Sequence, residues 1–376
     1  MKKIIMIAAL AVMTACGEPD QKPAEGSQTG FALSFFKNAV ASVSSTENVV
    51  VSPYSTGVAL SMLEAGAEGQ TKVELDNALN GSYFKAEDLG DGKDVTVQSS
   101  SSVWISDDFS VRNRYVSLLE KDFDAFVTTQ NFADPATAQA INNWCSEHTS
   151  GKIDQIIDRI GPDMVMVLVN ALYFNAPWAA AFDETAVNEA VFHGRSGDTS
   201  VRMMARRATF NYAEYQGAKM IEIPYAGGSY AMYVILPPAG MSPESILPYI
   251  SESLYRSAMS MLQPKEVALN MPQFRMETSL VLNKTLERMG VTTAFSSAAD
   301  FKGISVMGPL RLDVIKQKCY IDVNTKGTEA AAVTGAQIRM TSVRPVVSMN
   351  VDRPFLFVIA DVENKMPLFA GKIVNI

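Results

Sequence analysis

Few residues of this chain could carry out nucleophilic, acid–base or metal chemistry. Its 376 residues include two histidines, His148 and His193, and three cysteines, Cys16, Cys145 and Cys319. Cys145 lies three residues before His148, but a metal site would need two further ligands. Neither a Gly-x-Ser-x-Gly nor a His-Glu-x-x-His pattern occurs. The sequence therefore predicts no metal, no cofactor and no hydrolytic activity of its own.

The composition excludes two further classes of protein. Lys and Arg number 32 against 40 Asp and Glu, which gives a net charge of −8. An acidic chain is a poor electrostatic partner for nucleic acid or anionic lipid. With 47% hydrophobic and 19% charged residues, most of the chain can fold around a large core. Length alone suggests two domains of ~150 residues each.

The first sixteen residues predict export and a lipid anchor. Lys2 and Lys3 precede an apolar run, 4–12, that is too short to span a bilayer. The run leads into Met-Thr-Ala-Cys at 13–16, which resembles a bacterial lipobox, and this resemblance implies acylation of Cys16. An ordinary secretory signal with a chance cysteine is the alternative. We expect a lipoprotein of the cell envelope.

The following segment has the composition of a flexible tether. Residues 17–30, GEPDQKPAEGSQTG, contain nothing apolar larger than proline. We expect a signal peptide at 1–15, the lipidated cysteine and tether at 16–30, and one folded unit at 31–376. Gly17 rather than Asp after Cys16 favours the outer membrane over the inner one. Periplasmic and surface orientations both remain open.

Hydrophobic periodicity predicts mixed α and β elements in irregular order, which argues against a repeating βαβ architecture. Helices are expected at 31–43, 56–67, 138–160 (interrupted at Gly151) and 280–289. Strands are expected at 48–52, 164–174, 230–236, 267–271, 354–359 and 367–373. The run at 164–174 is almost continuously apolar, which is typical of a strand buried on both faces.

Residues 327–345 alternate between two kinds of side chain. Up to residue 340, Thr328, Ala330, Ala332 and Thr334 belong to a set that is uncharged and mostly small, whereas the positions between them hold both charges, Glu329 and Arg339. A strand would bury the first set and expose the second. No proline interrupts the chain between Pro309 and Pro345, so a central strand is permitted. A helix, a mobile loop or a surface loop followed by an edge strand would fit as well.

The same segment carries a resemblance to a known family. Residues 326–335, KGTEAAAVTG, resemble the hinge and proximal reactive-centre loop of serpins, and 352–359 and 367–373 resemble that family's C-terminal signature. Further motifs match in order from about Phe31 onward: NVVVSPYS at 48–55, INNW at 141–144, TSGKI at 149–153, VNALYFN at 169–175, FD at 182–183, MM at 203–204 and MGVTTAF at 289–295. The resemblance implies one mixed α/β (α+β) serpin unit with three β-sheets, about nine helices and an exposed loop, rather than two domains.

It also implies a function. A serpin is cleaved in its loop by a target serine protease, and the freed segment inserts into the main sheet as a strand before the acyl-enzyme can hydrolyse; cysteine proteases are a further target class. The resemblance also implies that small residues on the face that enters the sheet favour an active inhibitor. The hinge that resembles the family's comprises Gly327, Thr328, Glu329, Ala330, Ala331, Ala332 and Thr334. The alternative is a non-inhibitory serpin that acts as a carrier or structural envelope lipoprotein. We expect a monomer whose partner is the protease, with no nucleic acid and membrane contact only through Cys16.

The reactive bond is expected at Thr341–Ser342, by the family's usual count of fourteen positions from Gly327. The interval from Gly327 to Pro354 is 27 positions, which is roughly two longer than in common animal members. That extra length leaves Arg339, Met340 and Val343 as alternatives. None of these residues is catalytic, because the chemistry belongs to the protease.

Other residues are assigned by motif. Ser52, Ser55 and Asn170 match the family's shutter, which controls opening of the main sheet, and Trp178 matches the breach, where insertion starts. Plain buried polar residues are the alternative for Ser52 and Asn170. Two positions depart from the family: Thr325 replaces a usual Glu, and Gln317 replaces the shutter histidine of many animal members. We expect Cys145 and Cys319 to be free thiols, because a bridge would fasten a covering helix to a sheet that must open.

Overall fold

The structure is a computed structural model that describes residues 27–86, 89, 95–161, 163–308, 310–328 and 346–376. Cys16 lies outside the described residues, and so do all loop positions from Glu329 to Pro345. The described helices are α1 Gln28–Ala41, α2 Pro53–Gly66, α3 Gly69–Ala78, α4 Asn113–Phe123, α5 Ala136–Glu147, α6 Glu252–Ser260 and α7 Asn283–Arg288. None of these helices is long and apolar enough to cross a bilayer.

The described part also contains fifteen strands. They are β1 Val49–Val51, β2 Thr96–Ser106, β3 Phe126–Gln130, β4 Met166–Pro177, β5 Asn188–Gly194, β6 Gly197–Tyr215, β7 Ala218–Pro224, β8 Tyr230–Leu236, β9 Gln263–Pro272, β10 Phe274–Val281, β11 Val314–Val323, β12 Gly327–Thr328, β13 Val347–Asn350, β14 Phe355–Asp361 and β15 Pro367–Ile373.

The strands form two hydrogen-bonded sheets. The main sheet has the order β10-β11-β12-β4-β2-β3, and the second has the order β1-β15-β14-β8-β7-β6-β9-β13 with β5 also on β6. The described residues thus give two sheets and seven α-helices, where the resemblance implies three sheets and about nine helices. The sheet count differs because β6, 19 residues long, pairs with β5, β7 and β9 and joins their strands into one sheet. The mixed α and β architecture agrees with the fold that the resemblance implies.

Several boundaries differ from the sequence prediction, and three of them have a local cause in the structure. Residues 28–30, expected in the tether, form the first turn of α1 because Ser27 Oγ accepts the N–H of Gly30 (3.2 Å). The helix expected at 138–160 ends at Glu147, because Ser150 and Gly151 both adopt positive φ, at 52° and 73°. The helix expected from 280 starts only at Asn283, since β10 continues to Val281.

Strand β4 is buried on both faces, as its apolar sequence predicts. Its side chains alternate between two environments. Leu172 and Phe174 pack into the cluster between the two sheets, whereas Val167, Val169 and Ala171 pack with residues of α5. The main sheet is therefore covered by α5 on one face, and on the other by the second sheet and, around Met166 and Leu168, by helices that include α2.

Candidate functional site

The site is the junction between β4 and β11, where β12 enters the main sheet. Gly327 and Thr328 pair with Pro177 and Ala176 of β4, and Thr328 also pairs with Val323 of β11. The two residues of β12 are therefore antiparallel to both neighbours. A Cβ at Gly327 would lie 2.2 Å from the carbonyl oxygen of Ala176, so only glycine fits at this entry point.

Two aromatic residues, Tyr225 and Trp178, support β12 and the turn that precedes it. The hydroxyl groups of Tyr225 and Thr328 share a 2.7 Å hydrogen bond, and both residues are fully buried. Burial raises the pKa of the Tyr225 phenol well above its ordinary value, so the hydroxyl stays protonated. The Trp178 ring stacks on Tyr225 with centroids 4.5 Å apart, and its Nε1–H donates to the carbonyl of Asn324 (2.9 Å). Trp178 thus supports both the turn before β12 and the tyrosine behind it.

Thr325, where a glutamate is usual, has a carboxylate partner of its own. Its buried side-chain hydroxyl hydrogen-bonds to Glu184, and its carbonyl accepts the N–H of Phe182 (2.8 Å). The Oε2 atom of Glu184 also lies 3.7 Å from Nη2 of Arg202. The missing ion pair at position 325 is therefore replaced by a hydroxyl–carboxylate contact.

Beyond β12, the main sheet is closed. Strands β4 and β11 pair directly and in parallel from Val314–Val167 to Tyr320–Tyr173. Only the two residues of β12 separate them further on, at Ala176 and Val323. A longer inserted strand would have to separate each of these direct pairs in turn.

A buried amide network crosses the closed part. Gln317 and Asn170 are register partners on β11 and β4, and Gln317 Nε2 lies 2.8 Å from Asn170 Oδ1. The same nitrogen approaches Ser52 O (3.0 Å) and Thr56 Oγ1 (2.9 Å), while Gln317 Oε1 accepts the N–H of Ser52 (2.9 Å). Gln317 thereby ties both strands to the first turn of α2.

Asn170 extends the network toward β2. Its Nδ2 donates to Ser101 Oγ (3.0 Å) and to the carbonyl of Ser55 (3.3 Å). The hydroxyl of Ser55 in turn accepts from Ser99 (3.0 Å), and Ser52 Oγ caps α2 by accepting the N–H of Ser55 (3.1 Å). Three strands and one helix therefore meet in a set of buried polar groups that satisfy one another.

Comparison with known proteins agrees with this geometry. The family model described as serpin (serine protease inhibitor) matches residues 26–376. The chain belongs to the serpin family. An uncharacterized serpin-like protein of Methanosarcina acetivorans is 33% identical over 347 residues, covering 87% of this chain and 81% of the relative. Serine protease inhibitor 2 of Anopheles gambiae is 31% identical, with 99% and 98% covered.

Solved serpin structures superpose over nearly the whole chain. The crystal structure of the thermophilic serpin tengpin in its native state matches with a TM-score of 0.87 at 26% identity, covering 96% of each chain.

The structure brings four of the motif-assigned residues into two clusters, at separate levels of the junction. Ser52, Ser55 and Asn170 share the amide network, and Trp178 lies beside β12. The bait residues Arg339, Met340, Thr341, Ser342 and Val343 lie outside the described residues, as do the hinge positions from Glu329 to Thr334. No group of three or more His, Cys, Asp or Glu side chains in the described part is placed to hold a metal ion.

Sequence reasoning missed several contributors. Tyr225, Thr56, Ser99 and Ser101 carried no motif, although the four consecutive serines at 99–102, just before the apolar residues 103–105, are a signal that could have been used. Gln317 was identified only as a departure, yet it makes more of the network's contacts than any other residue.

The two described cysteines are free thiols, and both are buried. Burial raises the pKa of the Cys145 thiol to about 12, and it raises the pKa of Cys319 also. Neither thiol is therefore an effective nucleophile near neutral pH.

Proposed function

We propose that this serpin is a suicide-substrate inhibitor of serine proteases, which traps the acyl-enzyme by inserting its cleaved loop into the main sheet. The observation that carries the proposal is the position of β12. Gly327 and Thr328 already occupy the first two places of a strand between β4 and β11, hydrogen-bonded in antiparallel register to both. The inserting strand would extend this nucleus.

The existing register fits such an extension. Because β12 is antiparallel to both neighbours, each further residue would face a residue one position earlier in β4 and in β11. Thr334, six positions after Thr328, would then lie between Asn170 and Gln317, which are register partners already. No strand would need to slip, and insertion would only separate existing partners.

The alternating small residues fit the space that this register assigns to them. Thr328 points to the core, where it meets Tyr225, so alternate residues along an extended strand would point the same way. Ala330 would enter beside Phe174 and Ile321, and Ala332 beside Leu172 and Cys319, all of which are fully buried. A bulky or charged side chain would have to displace that packing.

Thr334 would meet polar partners instead. Separation of β4 from β11 breaks the 2.8 Å contact between Gln317 and Asn170. A threonine hydroxyl can both donate and accept, so it would satisfy the amide groups left on either side. Among the inward positions Ala330, Ala332 and Thr334, the one polar residue thus corresponds to the level at which Gln317 and Asn170 meet.

The protease supplies the chemistry. Its serine hydroxyl attacks the carbonyl of Thr341, the bond to Ser342 breaks, and the Ser342 nitrogen leaves as an amine; an ester then joins Thr341 to the protease. About a dozen inserted residues, each gaining a net ~1 kcal/mol of hydrogen bonding, would stabilise the product. Trapping succeeds when insertion is faster than hydrolysis of the ester.

We further propose that the protein is an envelope lipoprotein held by Cys16, in the outer membrane, where it guards against host or neighbouring proteases. The lipobox resemblance and the tether composition of 17–26 support this assignment. Labelled palmitate incorporated by the wild type but not by Cys16→Ser would support the anchor, and equal labelling of both would contradict it.

Inhibition is tested with the chain from Gly17 to Ile376, which avoids acylation and retains the whole matched unit, 26–376. It is mixed with elastase, trypsin and subtilisin. We expect a covalent complex stable in SDS with at least one of them, and a released C-terminal peptide that begins at Ser342. Loop cleavage by all three proteases without any complex would contradict inhibition and favour a non-inhibitory serpin.

A further inference from the structure

A second set of contacts joins β4 and β11 at the end of the junction opposite to β12. The carboxylate of Asp313 accepts the N–H of Val165 (2.5 Å) and the N–H of Met166 (3.2 Å) through Oδ2. Its backbone N–H also donates to the carbonyl of Met166 (3.0 Å). These bonds lie just before Val314–Val167, the first direct pair of the parallel ladder. The Asp313 side chain is only 12% exposed.

Arg311 completes this arrangement. Its Nε lies 2.9 Å from Asp313 Oδ1, and its Nη2 donates to the carbonyl of Asp163 (2.8 Å). The guanidinium therefore holds the carboxylate in place and itself crosses from the β11 side to the β4 side. We call Arg311, Asp313 and the segment 163–166 that they bind the base clasp.

The base clasp lies on the path of the inserting strand. In the register of β12, Ile338 is ten positions after Thr328 and would lie between Met166 and Asp313. Those are the residues that the clasp joins now. Thr341 would stop opposite Asp163. A strand that reaches the amide network at Thr334 leaves the clasp intact, whereas full insertion has to open it.

We propose that the base clasp resists the last step of insertion, and that Asp313 is a positioning residue that sets how fast the strand reaches the base of the sheet. This inference rests on the proposed insertion mechanism. Opening the clasp exchanges hydrogen bonds to a charged carboxylate for weaker, neutral backbone hydrogen bonds. The exchange opposes insertion only for residues near 338–341.

Two synthetic peptides test the proposal without any protease. One has the sequence of residues 329–341 and reaches the base; the other, 329–336, would stop opposite Leu168 and Ile315, before the clasp. Each carries a fluorescein at its N-terminus, and fluorescence anisotropy gives the rate at which it anneals to the chain from Gly17. In Asp313→Ala we expect the long peptide to anneal about tenfold faster, which corresponds to ~1.4 kcal/mol, and the short peptide to anneal at an unchanged rate. Asp313→Asn keeps an oxygen acceptor and should give a smaller increase.

Asp163→Ala is the matched control, since it removes an exposed carboxylate at the same base while leaving the carbonyl that Arg311 binds. It should change neither rate. Equal acceleration of both peptides by Asp313→Ala would indicate general loosening and overturn the inference, as would no acceleration of the long one. Failure of the proposed function is a separate outcome, seen as loop cleavage by all three proteases without any SDS-stable complex.

Discussion

At the scale of single residues, the hinge is held by contacts that a small polar side chain alone can make. Thr328 reaches Tyr225 with its hydroxyl in a site with no exposed surface. At Gly327, the carbonyl oxygen of Ala176 on the adjacent strand occupies the place that a side chain would take. The start of the strand is therefore specific in size, and the residues that follow it are expected to obey the same limit.

Thr328→Arg should convert the inhibitor into a substrate. An arginine would have to bury its charge beside Tyr225 or leave the sheet, so insertion would slow while acylation and hydrolysis continue. The measurement is the ratio of SDS-stable complex to cleaved serpin with a protease that the wild type traps. Thr328→Ser keeps the hydroxyl and is the control, which should retain most of the complex. An unchanged ratio in the arginine variant would show that position 328 does not enter the sheet.

At the scale of elements, the amide network fastens α2 to two strands that must separate. The side-chain amide of Gln317 hydrogen-bonds to the backbone of Ser52 on one side and to the side chain of Asn170 on the other. The network therefore stabilises the closed sheet while marking the level at which opening has to pass.

Gln317→Leu should destabilise the native chain by ~1–3 kcal/mol, because the N–H of Ser52 and the amide of Asn170 lose buried partners. The free energy of unfolding in urea measures this. Gln263→Leu, an exposed glutamine on β9, is the control and should stay within ~0.5 kcal/mol of the wild type. A Gln317 variant as stable as that control would mean that water or neighbouring groups replace the amide.

Ionised Glu74 of α3 should make the free energy of unfolding depend on pH. Burial alone would raise the pKa of Glu74, but hydrogen bonds from Thr293, through both hydroxyl and N–H, and from the N–H of Thr292 lower it from 4.5 to about 2. A depressed pKa stabilises the fold fully above the unfolded value, and this contribution is lost as pH falls from 4.5 through about 2. Glu74→Gln should thus be less stable than the wild type at pH 7, with the difference shrinking by pH 3.

Urea unfolding at pH 7, 5 and 3 gives that difference directly. Glu287→Gln, an exposed carboxylate on α7, is the control and should show little difference at any of the three values. A Glu74 effect that stays constant across this range would contradict the assignment of the stabilisation to an ionised Glu74.

The sequence predicted some elements to the residue and others poorly, for physical reasons. β8 and β15 are bounded as expected because each apolar run begins shortly after a turn, at 226–227 and at 362–364. α5 was predicted too long because apolar spacing continues through 148–160, while the backbone turns at Ser150 and Gly151. At the site, Asn170 and Trp178 came from motifs, but Tyr225 is 103 positions from Thr328, so only tertiary structure brings them together.

At the scale of the whole molecule, the main sheet is closed over most of its length but already parted at β12. Seven direct pairs, an amide network and the base clasp keep β4 and β11 together. If the loop is the strand that this sheet lacks, the native fold is not the most stable state available to the chain. Cleavage would then stabilise the protein, whereas cutting an ordinary surface loop leaves stability unchanged or lowers it.

The unfolding temperature before and after cleavage within 329–345 tests this claim most directly. A catalytic amount of a protease that cuts the loop without being trapped is added and then inactivated, and both forms are heated. A dozen new hydrogen bonds of ~1 kcal/mol each, divided by an unfolding entropy of ~2 cal/mol/K per residue, predict a rise of about 15 °C. An unfolding temperature that stays the same or falls after cleavage would contradict insertion, and with it the proposed mechanism of inhibition.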